Sequence, residues 1–169
     1  MICWANGVSG KNIEGFIVDL KSKGVKIEKI EGKYSLRSVQ NCTIYFENVF
    51  IPEDCKLAKA ENFVSGAGKV LKHSRVKVSW AAIGIAVGAY DHCIKYISQR
   101  KQFGKTVSSF QLSQEKLGRM MGNIQAMIHF AARVTQLYYK GEATMGQIAL
   151  CKAWCTLRGR EVVALAREL

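Results

Sequence analysis

Residues 117–138 read LGRMMGNIQAMIHFAARVTQLY, and in them Leu117, Met120, Ile124, Met127, Ala131, Val134 and Tyr138 recur at alternating spacings of three and four. Kept up for about six turns, that period lays an apolar stripe along one side of a helix and makes the segment one member of a packed bundle. Upstream, Ile83, Val87, Tyr90, Ile94 and Ile97 fall at spacings of four, three, four and three and predict a second long helix. Downstream, Gly141 to Thr144 opens a third, which carries Ile148, Cys151, Cys155, Val162 and Leu165. Helices of this length pack almost antiparallel.

Before about Asn62 the period is that of strands. Phe16-Ile17-Val18 follows Gly15, Val25 to Ile30 alternates apolar with charged residues, and Cys42 to Val49 alternates through Ile44, Phe46 and Val49 until Pro52 stops it. Gly24, Gly32 and the pair Gln40-Asn41 supply the turns. The expected fold class is α+β: a small antiparallel sheet up to about Lys59, then a bundle of at least three helices, two of them longer than about 20 residues. A strand inside Ile124 to Val134, or a helix across Thr43 to Val49, would overturn it. The last helix reaches Leu169 with no C-cap glycine, so the sequence is expected to be a piece of a longer one.

The composition bounds what the chain does. At 49% hydrophobic residues and one proline, 169 residues are enough to bury a core. The longest apolar run, Val78 to Tyr90, is interrupted by Gly84 and Gly88 and falls short of the roughly 20 residues that cross a bilayer. Met1 to Asn6 has neither the basic nor the apolar region of a signal peptide, which argues against secretion. The six cysteines (Cys3, Cys42, Cys55, Cys93, Cys151 and Cys155) lack the spacing of a disulfide framework and point to a reducing compartment. Cys151 and Cys155 share a helix face, but His73, His92 and His129 show no matching spacing, so they read as buried thiols rather than metal ligands. Lys and Arg number 25 against 13 acidic residues, a balance that favours a polyanion: nucleic acid, an anionic surface or a phosphate-bearing small molecule.

A basic loop between two long helices is the first place to look for that ligand. Arg100-Lys101-Gln102-Phe103-Gly104-Lys105 joins them, and Ser108-x-x-Gln111 matches a capping box at the start of the second. Arg100 offers a planar fork of donors, and a helix N-terminus adds unpaired N–H groups and partial positive charge, a combination suited to phosphate. Phe103 either stacks on a flat ring or, if the loop is only a solvated connector, tucks into the bundle. A nucleic-acid or anionic-surface module, centred on Lys69, Lys72, Arg75 and Lys77, is a different-class reading. Against it, basic and aromatic residues do not share a stripe, and no familiar nucleic-acid-binding motif is present. A cofactor-less structural bundle is a third reading.

Arg100 to Gly104 with Gln111 beyond it resembles the Arg-x-x-Phe-Gly…Gln signature of acyl-CoA dehydrogenases and their oxidase relatives. Phe46 to Pro52 is similar to the strand ending in Val-x-Val-Pro that closes that family's β-domain, Ser35-Leu36-Arg37 to the turn before it, and Ser74-Arg75 to the arginine preceding its Gly/Ala-rich helix. Among subfamilies the chain looks closest to the glutaryl-CoA dehydrogenase group and to the plant peroxisomal short-chain acyl-CoA oxidase. Ser74 to Trp80, Ile83 to Ile85, Phe110 to Leu112, Gly146 to Trp154 and Arg167 to Leu169 carry the latter likeness.

The resemblance implies that residues 1–61 end a middle β-domain and that residues 62–169 begin a C-terminal helical domain. It implies FAD as cofactor, taking two electrons from the Cα–Cβ bond of a short-chain acyl-CoA to give the trans-2-enoyl-CoA, as in fatty-acid β-oxidation. The oxidase branch, preferred here, passes them to O₂, and the dehydrogenases pass them to an electron-transferring flavoprotein. By position, Arg100, Gln102, Phe103 and Gln111 would contact the flavin, bound mainly by a neighbouring subunit of a homo-oligomer, and Arg75 would lie along the CoA arm. Lys72 stands where relatives often carry Asp or Asn, a departure from the pattern. The flavin-loop Trp-x-x-Asn/Ser motif belongs upstream of Met1, and the Gly-Gly-Asn-Gly turn and base glutamate beyond Leu169, so no catalytic residue is assigned and the stretch alone is expected to be inactive. Glu161 and Glu168 read as solvated helix residues. The oxidase branch implies a peroxisomal location, the alternative a mitochondrial matrix one, with neither nucleic acid nor membrane as partner.

Overall fold

The computed structural model describes residues 1–7, 13–60 and 62–169, and the chain divides into two compact units, Met1–Lys69 and Val70–Leu169. In the first unit, β1 (Ile2–Asn6) pairs antiparallel with β2 (Ile13–Ile17), Trp4 opposite Gly15. The pair β3 (Val25–Lys29) and β4 (Cys42–Phe46) is likewise antiparallel, Ile27 opposite Ile44. The expected single small sheet is therefore two separate two-stranded ones. β4 stops at Phe46 rather than Val49: the Glu47 N–H still bonds the Gly24 carbonyl opposite it, but the next residue, Asn48, is left-handed, at φ 50°, and turns the chain out of the ladder.

What holds this unit is an aromatic seam rather than a broad core. Trp4 meets Phe63 edge-on at 5.4 Å, and Gly15 and Gly66 lie so close beneath the indole that a Cβ on Gly66 would come within 2.2 Å of it. Among the hydrophobic residues of the unit's described part, Val18 and Ala60 are buried, while Ile2, Ile13, Ile17 and Ile27 stay exposed.

In the second unit α1 (Ala67–Gln99, its first three residues counted with the first unit), α2 (Gln111–Tyr139) and α3 (Met145–Arg167) form the expected bundle. Contacts between His73 and Tyr138 and between Trp80 and Thr135 run α1 and α2 in opposite directions, and contacts of Lys116 with Glu168 and Cys155 with Met127 do the same for α2 and α3. The α2 stripe is buried as its spacing predicts: Met120, Ile124, Met127, Ala131 and Val134, flanked by half-buried Leu117 and Tyr138. Ile148, Cys151, Cys155, Val162 and Leu165 face it from α3. Burial, with Cys151 alongside, pushes the Cys155 thiol up to about 12, so it stays protonated and inert.

The α1 stripe differs from the expectation. Val87 is 43% exposed, and the inward positions between Ile83 and Ile97 belong to Ala86 and Cys93. The reason is proximity: Gly159 of α3 presses so near α1 that a Cβ would stand 3.3 Å from the Ala82 carbonyl, and small residues fill such a crossing.

The helix starts also differ. Ser108 and Gln111 form no capping box; Val107–Ser109 winds into a 3-10 turn, and Phe110 occupies the N-cap of α2 without a side-chain bond. A true box lies at α3, where Thr144 Oγ1 accepts from the Gln147 N–H at 3.2 Å and Gln147 Oε1 accepts from the Thr144 N–H at 2.9 Å.

The Lys116 ammonium, 2.9 Å from Glu168, holds that carboxyl below the usual carboxylate range. A carboxylate whose folded pKa is lowered contributes stability present above its unfolded pKa and lost as pH falls through the folded one. Acid melts of the wild type should therefore lose this contribution below about pH 4. Lys116→Met should remove that part of the pH dependence. Identical acid limbs would mean that solvent disperses the pair.

Candidate functional site

The loop after α1 is built as a miniature hairpin. Arg100 follows the last residue of α1, its N–H bonded to the Tyr96 carbonyl. β5 (Lys101–Gln102) then pairs with β6 (Lys105–Thr106), and the Val107 N–H closes the base on the Arg100 carbonyl at 2.8 Å. Its two tip residues, Phe103 and Gly104, have φ of 51° and 76°, the left-handed pair that a two-residue hairpin turn demands.

Glycine takes such a φ at little cost, whereas a phenylalanine there costs about 1–2 kcal/mol. The Phe103 side chain gains no burial in exchange: it is 92% exposed, touching the Phe110 ring edge-on at 6.5 Å. It is not tucked into the bundle. An aromatic held out by strained backbone is poised to pack on something else. Phe103→Asn should accordingly raise thermal stability by about 1 kcal/mol, since Asn-Gly suits the turn better, and should weaken binding of a flat-ring ligand. Loss of stability in a melting experiment would show that the tip already packs at home.

Electrostatics point the same way. Arg100, Lys101 and Lys105 are exposed, and among the described residues no carboxylate pairs with them. The nearby cations are already matched, Lys95 to Asp91 at 2.7 Å and Arg119 to Glu115 at 3.1 Å. The first turn of α2 has no acidic residue and no side-chain cap, so its positive end is also free for an anion. Gln102 on β5 and Gln111 at the first position of α2 are both exposed within this stretch. Four of the five expected site residues thus share one helix–hairpin–helix junction.

Arg75 does not join them. It sits 25 residues earlier on the same helix, which separates its Cα from that of Arg100 by roughly 37 Å along the axis. There its guanidinium donates to Met145 Sδ at the start of α3, 3.1 Å away. At that separation the two guanidinium groups cannot meet on one small ligand. Glu161 and Glu168 are engaged in ion pairs, with Arg158 at 2.6 Å and Lys116 at 2.9 Å. Neither sits in a desolvated pocket of the kind a catalytic base needs. Lys101, Lys105 and Phe110 lie in stretches that the sequence marks, but no site role is assigned to them there. Phe110 was hidden because an apolar residue at an N-cap carries no capping signal.

An FAD, with a pyrophosphate and two flat ring systems, fits this donor set: a guanidinium and an open helix start for phosphate, and an exposed aromatic for a ring. Among the described residues no three metal-ligating side chains come together, and no helix is long and apolar enough to cross a membrane.

Comparison with known proteins was consistent with these features. The family model "Acyl-CoA dehydrogenase, C-terminal domain" matches residues 65–169. The caffeyl-CoA reductase–Etf complex subunit CarC of Acetobacterium woodii is 38% identical over 159 residues, 94% of this chain. A glutaryl-CoA dehydrogenase structure from Mycobacterium smegmatis superposes with a TM-score of 0.92 at 24% identity over 99% of this chain. A second, determined in complex with FADH2, superposes at 0.86 with 28% identity, again over 99% of this chain. The chain spans 42% of the length of each of these three proteins. With the helical bundle matched by the family model over residues 65–169 and a relative of 38% identity covering 94% of the chain, this chain belongs to the acyl-CoA dehydrogenase family.

Proposed function

We propose that these residues form part of an FAD-dependent enzyme that removes two hydrogens from the α and β carbons of a short-chain acyl-CoA, giving the trans-2-enoyl-CoA. The observation that carries the reading is the junction of residues 100–111: a strained, exposed Phe103 among cations that, among the described residues, no carboxylate pairs, at a helix start with no side-chain cap. The flavin, when bound, supplies the two-electron acceptor. The chain's own residues bind and orient it, Arg100 and the α2 N-terminus addressing the pyrophosphate, Phe103 packing on a ring, Gln102 and Gln111 donating hydrogen bonds. Arg75 holds the CoA arm at the far end of α1. The complex of the Mycobacterium smegmatis relative with FADH2 supports the cofactor assignment.

The junction points outward and Ile85, Leu150 and Leu157 are exposed along the bundle, which supports a homo-oligomer whose helical units pack together and in which the loop reaches a neighbour's flavin. Residues 1–169 alone are not expected to turn over. For the electron acceptor, the likeness of residues 74–80 to plant oxidases supports O₂ and a peroxisomal setting. The Etf-complex relative supports a flavoprotein as electron partner instead; a dehydrogenase of that kind would go with the mitochondrial-matrix alternative.

The test uses the full-length protein. It should purify yellow, and anaerobic addition of a short-chain acyl-CoA should bleach the flavin band. Readmitted air should then release stoichiometric hydrogen peroxide for an oxidase and little for a dehydrogenase. A colourless protein that takes up no FAD would overturn the assignment.

A further inference from the structure

The capping box on Thr144 and Gln147 fixes the backbone at the start of α3, and from the first residue of that helix the Met145 side chain reaches α1. There Met145 Sδ accepts from Arg75 Nη1 at 3.1 Å. A thioether is a weak acceptor, and among the described residues no ion pair includes Arg75. Most of the guanidinium's donors therefore stay free for an anion.

The sulfur in this contact is open to small reagents. Met145 is 42% exposed, whereas Met120 and Met127 are 0% exposed in the core. Met121 is 37% exposed, but its sulfur faces a neutral amide, Gln125 Nε2, at 3.7 Å. Of the methionines in the helices, Met145 is the one that combines exposure with a cation bonded at the sulfur.

Hydrogen peroxide oxidises an exposed thioether by two electrons. A sulfur lone pair takes one peroxide oxygen, the O–O bond breaks, and the departing hydroxide collects the proton of the transferred hydroxyl to leave as water. The sulfoxide oxygen carries partial negative charge and is a strong acceptor where the thioether was a weak one. At Met145 it forms beside a guanidinium and at the positive end of α3, whose first turn holds no acidic residue to compete.

We infer that Met145 is a site of reversible oxidation by peroxide, whose sulfoxide captures the Arg75 guanidinium and withdraws it from its ligand. The oxidation itself needs only the exposed thioether and peroxide. Its consequence rests on the acyl-CoA reading above: Arg75 there holds the CoA arm, and hydrogen peroxide is what the O₂-linked branch of the reaction releases, so the product restrains its own source.

The test treats the full-length protein with hydrogen peroxide and weighs its methionine peptides by mass spectrometry. Met145 and Met121 should each gain one oxygen while Met120 and Met127 stay reduced. Amide exchange at the start of α3 should then slow roughly 10-fold in the wild type, the scale of one charge-assisted contact, and not in Arg75→Gln. Calorimetric titration should show coenzyme A binding weakened several-fold by oxidation and restored by methionine sulfoxide reductase. Met145→Leu should ignore peroxide, and Met121→Leu should respond as the wild type does. A Met145 that stays reduced would overturn the inference, as would slowed exchange that persists in Arg75→Gln, a coenzyme A loss that persists in Met145→Leu, or an oxidised wild type that binds coenzyme A as tightly as before. A protein that shows the slowed exchange yet binds no coenzyme A in either state would overturn the acyl-CoA reading and leave the capture of Arg75 standing. A protein bleached by acyl-CoA in which oxidation of Met145 changes neither exchange nor affinity would do the reverse.

Discussion

Replacing Arg100 with Ala in the full-length protein is expected to weaken FAD binding roughly 10- to 150-fold. The lost interaction is a charge-assisted, two-pronged contact to a phosphate, typically about 1.5–3 kcal/mol. The backbone of Arg100 is already committed on both sides, its N–H to Tyr96 and its carbonyl to Val107, so the hairpin should survive the truncation. Lysine should recover only part of the affinity, because an ammonium is a point charge and cannot make the planar fork. Titrating FAD into the apo forms of wild type, Arg100→Ala and Arg100→Lys compares the three directly. Unchanged affinity in both variants would return the junction to a solvated basic connector.

The largest loss of stability is expected from Ile148→Ala. Ile148 is 0% exposed where the start of α3 packs on the rest of the helical core. Deleting most of its side chain leaves a void that the packed helices close only in part, at a cost of about 2–5 kcal/mol. The midpoint of urea unfolding should fall while its slope stays constant. An exposed counterpart on the opposite face of the same turn, Leu150→Ala, should cost the isolated chain only about 0.5 kcal/mol. Equal effects at the two positions would mean that the inward face of α3 is misassigned.

The contrast between those positions also explains what the sequence made legible. In α2 the inward positions hold large residues, Met120, Ile124, Met127 and Val134, so apolar size and burial coincide and the period alone finds the face. In α1 they part company, because a close crossing with α3 selects Ala86 and Cys93 for the inside while Val87 and Ile85 face out. Strand pairing was harder. β1 has no alternation to announce it, and β3 finds its partner in β4, across a connection whose turn at Leu36 is left-handed and therefore invisible to propensity. At the site, the chemistry of Arg100 and its neighbours could be read from residue types. The projection of Phe103 could not, because a Phe-Gly pair in a left-handed turn defies the usual preference for Asn or Asp before the glycine. The apparent capping signal at Ser108 failed for a related reason: Ser108 donates to Thr106 Oγ1 inside the 3-10 turn and never faces the α2 amides.

One continuous helix carries Arg75 near its beginning and hands over to Arg100 at its end, so α1 acts as an angular gauge as well as a spacer. Inserting a single residue near Gly88, whose surroundings are open, would swing everything beyond it through about 100° while lengthening the helix by only ~1.5 Å. Seven residues would restore the bearing to within about 20° yet carry the hairpin roughly 10 Å further out. An insertion series in the full-length protein therefore separates two demands on the proposed flavin site. If the direction in which the hairpin faces matters most, the seven-residue variant outperforms the single insertion; if reach matters most, the order is reversed.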